Sequence, residues 1–245
     1  MPEPAERPIH RLSMKRPSLF EIPSTMKKPK LILIDLDGTL VDSVPDLAYS
    51  VDNMMRRIGR DPCGESRVRD WVGNGVEKLV KRALLGQLEG EPETSEFELA
   101  YPIFLELYQQ CNGENSRLYP GVKEGLAFLA SSGYTLGCVT NKAARFTEPL
   151  LEALGVRDRF GILISGDTLP RKKPDPLPLL HAADYFKLGP GDALMLGDSV
   201  SDVKAARAAG FQVICVSYGY NHGKDIRLAK PDAVIDSFLE LKELL

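Results

Sequence analysis

The sequence predicts an α/β fold in which a parallel sheet carries an all-helical insertion after its first strand. The segment 31–34 reads LILI, a short apolar run of residues with high β propensity. Residues 44–118 show helical periodicity and no strand pattern. From Tyr119 onward, helical and strand patterns alternate, and repeated units of this kind pack as a parallel sheet with helices on both faces.

The insertion is predicted to hold three main helices joined by polar turns. The first spans 44–58, where apolar residues recur at helical spacing, and Gly59 ends it. A polar loop then leads to the turn 72–75, which reads VGNG, and a second helical stretch follows. The third helix spans 95–111, and Pro102 is a candidate break within it because proline removes a helical hydrogen bond.

The carboxyl-terminal part of the chain is predicted to contain five helices and five strands. The helices span 121–132, 146–154, 176–186, 200–209 and 237–244. The strands span 135–140, 162–165, 193–196, 213–216 and 233–235. Because the first strand joins the same sheet, we expect 30–43 and 119–245 to form the core and 44–118 to form a separate domain.

The first residues differ in composition from the rest of the chain. Residues 1–30 contain seven Lys or Arg, three Asp or Glu and six Pro. They include no apolar run suited to a signal peptide. A segment so rich in proline and charge buries too little apolar surface to fold by itself. We therefore expect 1–29 to be a disordered extension.

The overall charge and the cysteines limit the classes of function and location. A net charge of -3 provides no field suited to a nucleic-acid backbone or an anionic membrane, which favours a small diffusible substrate. The four cysteines are scattered and lack metal-site spacing, as is typical of a reducing cytoplasm. No apolar stretch approaches the roughly 18 residues that span a bilayer. We expect a cytoplasmic monomer or homodimer that binds neither nucleic acid nor membrane.

Polar clusters follow four of the predicted strands. They are Asp35 with Asp37, Thr140 with Asn141 and Lys142, Lys172 with Lys173, and Asp198 with Asp202. In open α/β sheets, ligands bind beyond the carboxyl ends of the strands. We therefore expect the four clusters to converge on one pocket.

The first cluster suggests a pair of catalytic acids. Asp35 and Asp37 are separated by one residue, so their side chains can project to the same side of an extended chain. One acid can then act as a nucleophile while the other donates a proton. Taken alone, such a pair is more often a cap on a strand and turn. The longer string DLDGTLVDS is more specific and favours catalysis.

Four strings occur along the chain in the order DLDGT, VTNK, KKPDP and GDSVSD. They resemble the four motifs of the haloacid dehalogenase superfamily of aspartate-nucleophile phosphatases, and the resemblance extends from Leu31 to Leu245. It implies a Rossmann-like core with an inserted helical cap of the first type. Such a cap closes over a small phosphorylated substrate and excludes water. The loop 71–75 would then reach the active edge of the core.

The resemblance implies a role for each cluster. Asp35 is the nucleophile that attacks phosphorus and forms a phosphoaspartyl intermediate. Asp37 protonates the leaving alkoxide and later takes a proton from the attacking water. Thr140 and Asn141 lie where a hydroxyl and an N–H can hold the phosphoryl oxygens. A simple strand-end cap is the alternative for Thr140.

The third cluster contains two lysines, and one of them is expected to offset the negative charge between the nucleophile and the phosphoryl group. Pro174 keeps Lys173 out of the helical region, which helps to present its ammonium at a fixed position. Lys172 competes with it, but the similarity of Lys-Pro to the third motif favours Lys173. We expect Lys172 and Lys142 to be solvated surface lysines.

The last cluster suggests a magnesium site. Asp198 and Asp202 provide carboxylates that are predicted to share a helix face at i, i+4 spacing, and oxygen-only ligands suit Mg²⁺. The resemblance implies Asp35, the backbone carbonyl of Asp37 and Asp198 as the protein ligands, with Asp202 in support through water. A simple helix N-cap is the alternative for Asp198 and Ser199.

Within the superfamily, four longer strings resemble the bacterial enzymes that hydrolyse 2-phosphoglycolate. These strings are DLDGTLVDSVPDL, WVGNG, VTNKAARFTEPLLEALG and YGYNHG. We expect this activity; the alternatives are hydrolysis of a sugar phosphate, a nucleotide or pyrophosphate, a hexose phosphomutase, and a response-regulator receiver. Arg67, Arg69 and Lys78 are candidates for the substrate carboxylate, or solvated helix charges. His222 is a candidate for the entrance.

Overall fold

The computed structural model describes residues 26–245 of the chain. The strands in this range are β1 (Leu31–Ile34), β2 (Val41–Asp42), β3 (Arg117–Leu118), β4 (Thr135–Val139), β5 (Ile162–Ile164), β6 (Ala193–Gly197), β7 (Gln212–Val216) and β8 (Ala233–Ile235). The helices are α1 (Val44–Arg57), α2 (Glu65–Trp71), α3 (Val76–Leu85), α4 (Thr94–Cys111), α5 (Val122–Ser131), α6 (Ala144–Ala153), α7 (Leu177–Tyr185), α8 (Val200–Ala209) and α9 (Leu241–Leu244). None of the helices described is long and apolar enough to cross a membrane.

The central sheet consists of β1 and β4 to β8, and its strands are parallel in the order β5-β4-β1-β6-β7-β8. β1 lies inside this sheet, and each of its four residues is fully buried. Ile32 and Ile34 pack in the apolar cluster that contains α5, α6 and α9, whereas Leu31 and Leu33 pack in the cluster of α7 and α8. Helices therefore cover both faces, which explains why β1 is apolar without alternation.

The order of the strands fixes where a ligand can bind. From β1 the chain goes first to β4 and β5 on one side of the sheet and later to β6, β7 and β8 on the other. β1 and β6 are neighbours that belong to the two halves, and such a switch point opens a crevice at the carboxyl edge. Asp35 directly follows β1, and Asp198 directly follows β6. The predicted α/β fold with a parallel sheet is confirmed.

Helices α1 to α4 fill the insertion. They form an apolar cluster that includes Val51, Met54, Leu79 and Phe104, and to which the core contributes Phe146 and Tyr220. The prediction of a helical insertion is therefore confirmed, but the candidate break at Pro102 is wrong, because α4 continues through that residue. Pro102 is exposed, so the carbonyl that loses its helical partner there faces the solvent side.

Two elements differ from the sequence prediction. Helix α2 occupies a segment that is predicted as a polar loop. The helix is hard to recognise in the sequence, because only Val68 and Trp71 are buried and its apolar periodicity is weak. Strands β2 and β3 pair antiparallel over two residues each, with Val41 opposite Leu118. A ladder this short leaves no alternating pattern in the sequence.

The two segments that link the core to the insertion lie side by side through β2 and β3. Asp46, in the first turn of α1, is fully buried. Its carboxylate accepts hydrogen bonds from the N–H groups of Gly113, Asn115 and Ser116 at 2.9 to 3.0 Å. The Ser116 hydroxyl donates a fourth at 2.6 Å. This buried acid fixes the segment on which the chain returns to the core.

The expected disordered extension, 1–29, falls mostly outside the described residues, since only 26–29 belong to them. Met26 packs against the apolar cluster of α5 and α6. The ammonium of Lys27 lies 2.8 Å from Asp192 Oδ1, and its backbone N–H donates to the side chain of Gln212 at 2.8 Å. The last four residues of that segment therefore contact the core.

Candidate active site

Acidic side chains from the loops after β1 and β6 and from the first turn of α8 meet at the carboxyl edge of the sheet. The backbone N–H of Asp35 donates to the carbonyl of Leu196, so the end of β1 is aligned with the end of β6. Asp35, Asp198 and Asp202 are buried, and their carboxylate oxygens lie within 4.8 Å of one another. Carboxylate oxygens in such a cluster are ligands that a divalent cation prefers.

Lys173 is the cation of this cluster. Its ammonium lies 2.9 Å from Asp35 Oδ1 and 2.7 Å from Asp202 Oδ1, and it donates to the carbonyl of Val139 at 2.6 Å. Burial by itself would lower the pKa of Lys173, but Asp202 and Asp35 outweigh burial and the pKa is raised. The ammonium therefore stays charged beside Asp35.

In residues 26–245, Lys173 pairs with Asp35 and Asp202, and no lysine or arginine pairs with Asp198. Burial raises the pKa of Asp35 to about 7; Lys173 opposes this rise and Asp202 adds to it. Burial also raises the pKa of Asp198 well above its ordinary value, with further increases from Asp202 and Asp35. The cluster holds three buried carboxylates and one ammonium, which pairs with two of them, so it favours a bound divalent cation. The donor set fits such an ion.

Close backbone approach fixes the position of Asp198. Its carboxylate accepts from the Thr39 hydroxyl at 3.1 Å and from the N–H of Tyr220 at 2.8 Å. A Cβ atom on Gly38 would lie 2.4 Å from Asp198 Oδ2, and one on Gly219 would lie 2.1 Å from Asp198 Cβ. Gly38 also has a φ of +88°, which favours glycine. Glycine at these two positions makes room for the acid.

The relation of Asp198 and Asp202 to α8 differs from the prediction. Asp198 precedes the helix, so the two acids do not share a helix face, and Ser199 is the N-cap. The Asp202 carboxylate accepts from the backbone N–H of Ser199 at 3.0 Å and from its hydroxyl at 2.7 Å, while its other oxygen pairs with Lys173. Asp202 therefore couples the start of α8 to Lys173.

Asp37 lies beside a lysine that the sequence analysis interprets as a surface residue. The ammonium of Lys142 is 3.3 Å and 3.5 Å from the two carboxylate oxygens of Asp37, and it also contacts the Tyr108 hydroxyl. The Lys142 side chain is 1% exposed, so the expectation of a solvated lysine is wrong. Lys172 is exposed as expected and donates to the carbonyl of Asn74 at 2.9 Å. The sequence signal for Lys142 is its place in the second strand-end cluster, beside Thr140 and Asn141.

Thr140 and Asn141 line the same cavity as the acids. Thr140 is buried, and its hydroxyl accepts from the N–H of Lys142 at 3.2 Å. The Asn141 amide donates to the carbonyl of Lys173 at 3.0 Å, while its side-chain oxygen is buried without a partner in the structure. Both residues lie beside the cavity, and Asn141 links the second cluster to the third.

The cavity lies between the strand ends and the loop 72–75 of the insertion. Its lining includes polar residues from all four clusters together with Ser199, Ser201, Tyr220, Asn221 and His222. Arg82 of α3 is buried and shapes the loop, because it donates to the carbonyls of Trp71 and Gly73 at 2.6 Å and 3.1 Å. It also donates to the side-chain oxygen of Asn74 at 3.1 Å. The predicted approach of this loop to the core edge is confirmed.

The charged residues proposed for a substrate carboxylate do not line this cavity within the part of the chain that the structure describes. Arg69 pairs with Asp42 at 3.0 Å and Glu65 at 2.9 Å, and Lys78 pairs with Glu91 at 3.2 Å. Arg67 is exposed and also absent from the lining of the cavity in residues 26–245. Sequence reasoning misses Arg82, Tyr108 and Tyr220. The loop acceptors of Arg82 lie 8 to 11 residues earlier, and the partners of the Tyr108 and Tyr220 hydroxyls lie 34 and 178 residues away.

His222 closes one side of the cavity. Its Nδ1 lies 2.9 Å from the backbone carbonyl of Asp70 in α2, so it joins the loop after β7 to the insertion. Burial lowers the pKa of His222; the contact with the Asp70 carbonyl opposes this effect and the charge of Arg82 adds to it. The ring is therefore held in its neutral form more strongly than in a solvated loop.

Three comparisons identify relatives of the chain. Residues 29–210 match the family model of the haloacid dehalogenase-like hydrolases. The chain is 63% identical over 220 residues to a phosphoglycolate phosphatase of Nitrosococcus oceani, with 90% of this chain and 98% of that protein covered. It is 47% identical over 216 residues to one of Nitrosospira multiformis, with 88% and 95% covered.

A solved structure shares the fold as well. The crystal structure of a predicted phosphoglycolate phosphatase from Haemophilus somnus matches with a TM-score of 0.84 and 38% identity, and covers 90% of this chain and 99% of that chain. The segment matched by the family model contains all of the clusters at the strand ends, from Asp35 to Asp202. The chain therefore belongs to the haloacid dehalogenase-like hydrolase family and is one of its phosphatases.

Proposed function

We propose that this phosphatase hydrolyses 2-phosphoglycolate to glycolate and inorganic phosphate in a Mg²⁺-dependent reaction. The observation that carries the proposal is the convergence of Asp35, Asp37, Lys173 and Asp198 on one cavity beneath the helical insertion. Relatives at 63% and 47% identity are named phosphoglycolate phosphatase, which supports this substrate. A small phosphorylated acid is of a size that the insertion can enclose.

The proposed reaction consists of two displacements at phosphorus. A carboxylate oxygen of Asp35 attacks phosphorus, and the bond between phosphorus and the glycolate oxygen breaks. Asp37 gives its proton to that oxygen as it leaves. A water molecule then attacks the phosphoaspartate while Asp37 takes a proton from it. Phosphate departs from Asp35, and both carboxyl groups return to their initial states.

Lys173, Thr140 and Asn141 stabilise the charge that the phosphoryl group brings to Asp35. The Lys173 ammonium lies 2.9 Å from the Asp35 carboxylate, so it offsets the repulsion between the nucleophile and a phosphate dianion. The hydroxyl of Thr140 and an N–H of Asn141 hold phosphoryl oxygens in the cavity that they line. The insertion keeps bulk water away from these charges during the transfer.

Mg²⁺ is the cofactor that we propose, within a family whose phosphatases generally depend on a metal. Asp35, the backbone carbonyl of Asp37 and Asp198 would hold the ion, and Asp202 would support it through water. Hard oxygen ligands of this kind suit Mg²⁺. The bound ion offsets the negative charge that the carboxylates and the phosphoryl group share.

We also propose that 44–118 acts as a cap domain over a core of 30–43 and 119–245. The apolar cluster of α1 to α4, to which the core adds Phe146 and Tyr220, and the cavity between the two parts support this division. We propose that the enzyme is cytoplasmic and works as a monomer or homodimer. Limited rotation of the cap about β2 and β3 would open and close the cavity.

A panel of phosphate esters tests the substrate. We expect 2-phosphoglycolate to give the highest kcat/KM with Mg²⁺, ahead of sugar phosphates, nucleotides and pyrophosphate. Steady release of inorganic phosphate distinguishes hydrolysis from a phosphomutase, which returns the phosphoryl group to a sugar. A higher kcat/KM for any other ester in the panel would overturn the proposed substrate and leave the phosphatase chemistry in place.

Substitution of the nucleophile tests the mechanism. Asp35→Asn should retain less than about a hundredth of wild-type kcat/KM, because the amide cannot form the phosphoaspartate. Acid quenching with labelled substrate should place the label on the peptide that contains Asp35 in the wild type and on no peptide in the variant. Label on a different residue would show that the nucleophile is wrongly assigned. Thermal unfolding with and without Mg²⁺ tests the metal independently of turnover.

A further inference from the structure

A buried lysine connects the helical insertion to the second acid of the active site. Lys142 follows β4 in the core, and its side chain is 1% exposed. Its ammonium lies 3.3 Å and 3.5 Å from the two oxygens of Asp37. On its other side the same ammonium donates to the hydroxyl of Tyr108, which belongs to α4. The cation thus lies between a group of the core and a group of the insertion.

Packing holds the tyrosine in this position. Tyr108 is fully buried, and its ring centre lies 5.6 Å from that of Phe104 and 4.7 Å from that of Phe146. Burial, and secondarily the charge of Asp37, raises the pKa of Tyr108 well above its ordinary value. The hydroxyl therefore stays neutral and accepts a hydrogen bond from Lys142.

Both contacts limit the freedom of Asp37. Its side chain is 18% exposed at the edge of the cavity, so without a partner it could turn between several rotamers. An ammonium at similar distances from both oxygens fixes the plane of the carboxyl group. Tyr108 in turn limits the rotation of the long lysine side chain. If the insertion moves away, Tyr108 leaves with it and Lys142 gains access to water.

We propose that Lys142 is a positioning residue for Asp37 and that Tyr108 makes this positioning depend on closure of the insertion. The inference rests on the proposed function, because it takes Asp37 as the group that protonates the leaving oxygen. Tyr108, Lys142 and Asp37 form a chain that aims the acid at this oxygen only when the cavity is covered. Proton donation is thereby restricted to the state from which water is excluded.

The proposal is tested by how strongly kcat/KM of each variant depends on the leaving group of the ester. The alkoxide of 2-phosphoglycolate is a poor leaving group and needs a proton, whereas the phenolate of p-nitrophenyl phosphate departs without one. kcat/KM includes only the steps up to departure of that group. For Lys142→Met and Tyr108→Phe we expect kcat/KM to fall by about 10- to 100-fold on 2-phosphoglycolate and by less than about 3-fold on p-nitrophenyl phosphate.

Three further variants serve as controls for the comparison of the two esters. Tyr101→Phe removes a hydroxyl from the same helix, where the ring stacks on Phe97 at 5.1 Å, and should change neither value. Lys142→Arg should recover part of the loss, since a guanidinium can still pair with Asp37. Asp37→Asn should show the same selective loss as Lys142→Met, but a larger one.

The outcomes separate this inference from the proposed function. Equal losses on both esters for Lys142→Met and Tyr108→Phe, together with a selective loss for Asp37→Asn, would overturn the positioning role and leave Asp37 as the acid. An Asp37→Asn variant without selectivity would overturn the role of Asp37 and, with it, the inference. If Lys142→Met does not fold, Tyr108→Phe decides, because it keeps the packed ring.

Discussion

Lys173 and Asp202 form a fully buried ion pair, with 2.7 Å between the ammonium and the carboxylate. The lysine side chain is 2% exposed and the aspartate side chain is 0% exposed. The second oxygen of Asp202 accepts from Ser199 at the start of α8. The pair thus joins the loop after β5 to the helix after β6, and it holds the lysine against the nucleophile.

The strength of this pair can be measured with a double-mutant cycle. Asp202→Asn should lower the free energy of unfolding, because an amide NH₂ must then face either Lys173 or Ser199, which are both donors. Lys173→Met should lower it more, since both Asp35 and Asp202 then lose their cation. We expect the double variant to lose less than the sum, with a coupling of about 1 to 3 kcal/mol in metal-free buffer. Additive losses in urea unfolding would show that the pair contributes no coupling.

Gly38 should be required mainly because a larger residue would displace Asp198, and less because of its backbone conformation in the turn. A Cβ at Gly38 would lie 2.4 Å from Asp198 Oδ2, whereas one at Gly59, with a similar φ of +78°, meets nothing within 4 Å. Gly59→Ala should therefore cost only about 1 kcal/mol of stability and leave kcat/KM unchanged. Gly38→Ala should reduce kcat/KM by about 100-fold, because Asp198 must move. Similar kinetics for the two variants would contradict the crowding argument.

Asp46 should be the main polar anchor of the returning linker. Asp46→Ala leaves the N–H groups of Gly113, Asn115 and Ser116 and the Ser116 hydroxyl without their acceptor, so the free energy of unfolding should fall by about 3 kcal/mol or more. Ser116→Ala removes a single donor and should cost about 1 kcal/mol. Gln109→Ala, at an exposed position of α4, should change stability by less than about 0.5 kcal/mol. A loss for Asp46→Ala no larger than that for Ser116→Ala would contradict this role.

His222 should make stability depend on pH. Because burial lowers its pKa below the ordinary 6.5, the unfolded chain takes up a proton at a higher pH than the folded protein. Stability should therefore fall as pH drops through about 6.5 toward the lower folded value, and it should be regained above that range. His222→Gln should have a smaller difference between its unfolding free energies at about pH 5 and about pH 7.5. An unchanged difference would show that the histidine does not contribute.

The sequence predicts the core of the fold because the necessary signals are local. The apolar run of β1, the alternation of helices and strands after Tyr119, and the polar groups at strand ends are all visible within short windows. The rule that ligands bind at the carboxyl ends of parallel strands then brings Asp35, Thr140, Lys173 and Asp198 to one edge. The structure has these residues around a single cavity.

The sequence does not reveal features that depend on distant contacts. Lys142 is misinterpreted because its burial requires Tyr108, which lies 34 residues before it, and Asp37, which lies 105 residues before it. Arg82 looks like a solvated helix charge, but its acceptors are carbonyls of a loop nine and eleven residues earlier. β2 and β3 are invisible because each is only two residues long and its partner lies across the whole insertion.

The pairing of Val41 with Leu118 means that the chain leaves the core and re-enters it at the same point. Because entry and exit are held together, a change in the length of the insertion need not alter the spacing of the strands in the central sheet. We therefore expect the insertion to tolerate changes that leave the order of the six strands, and the residues at their ends, as they are.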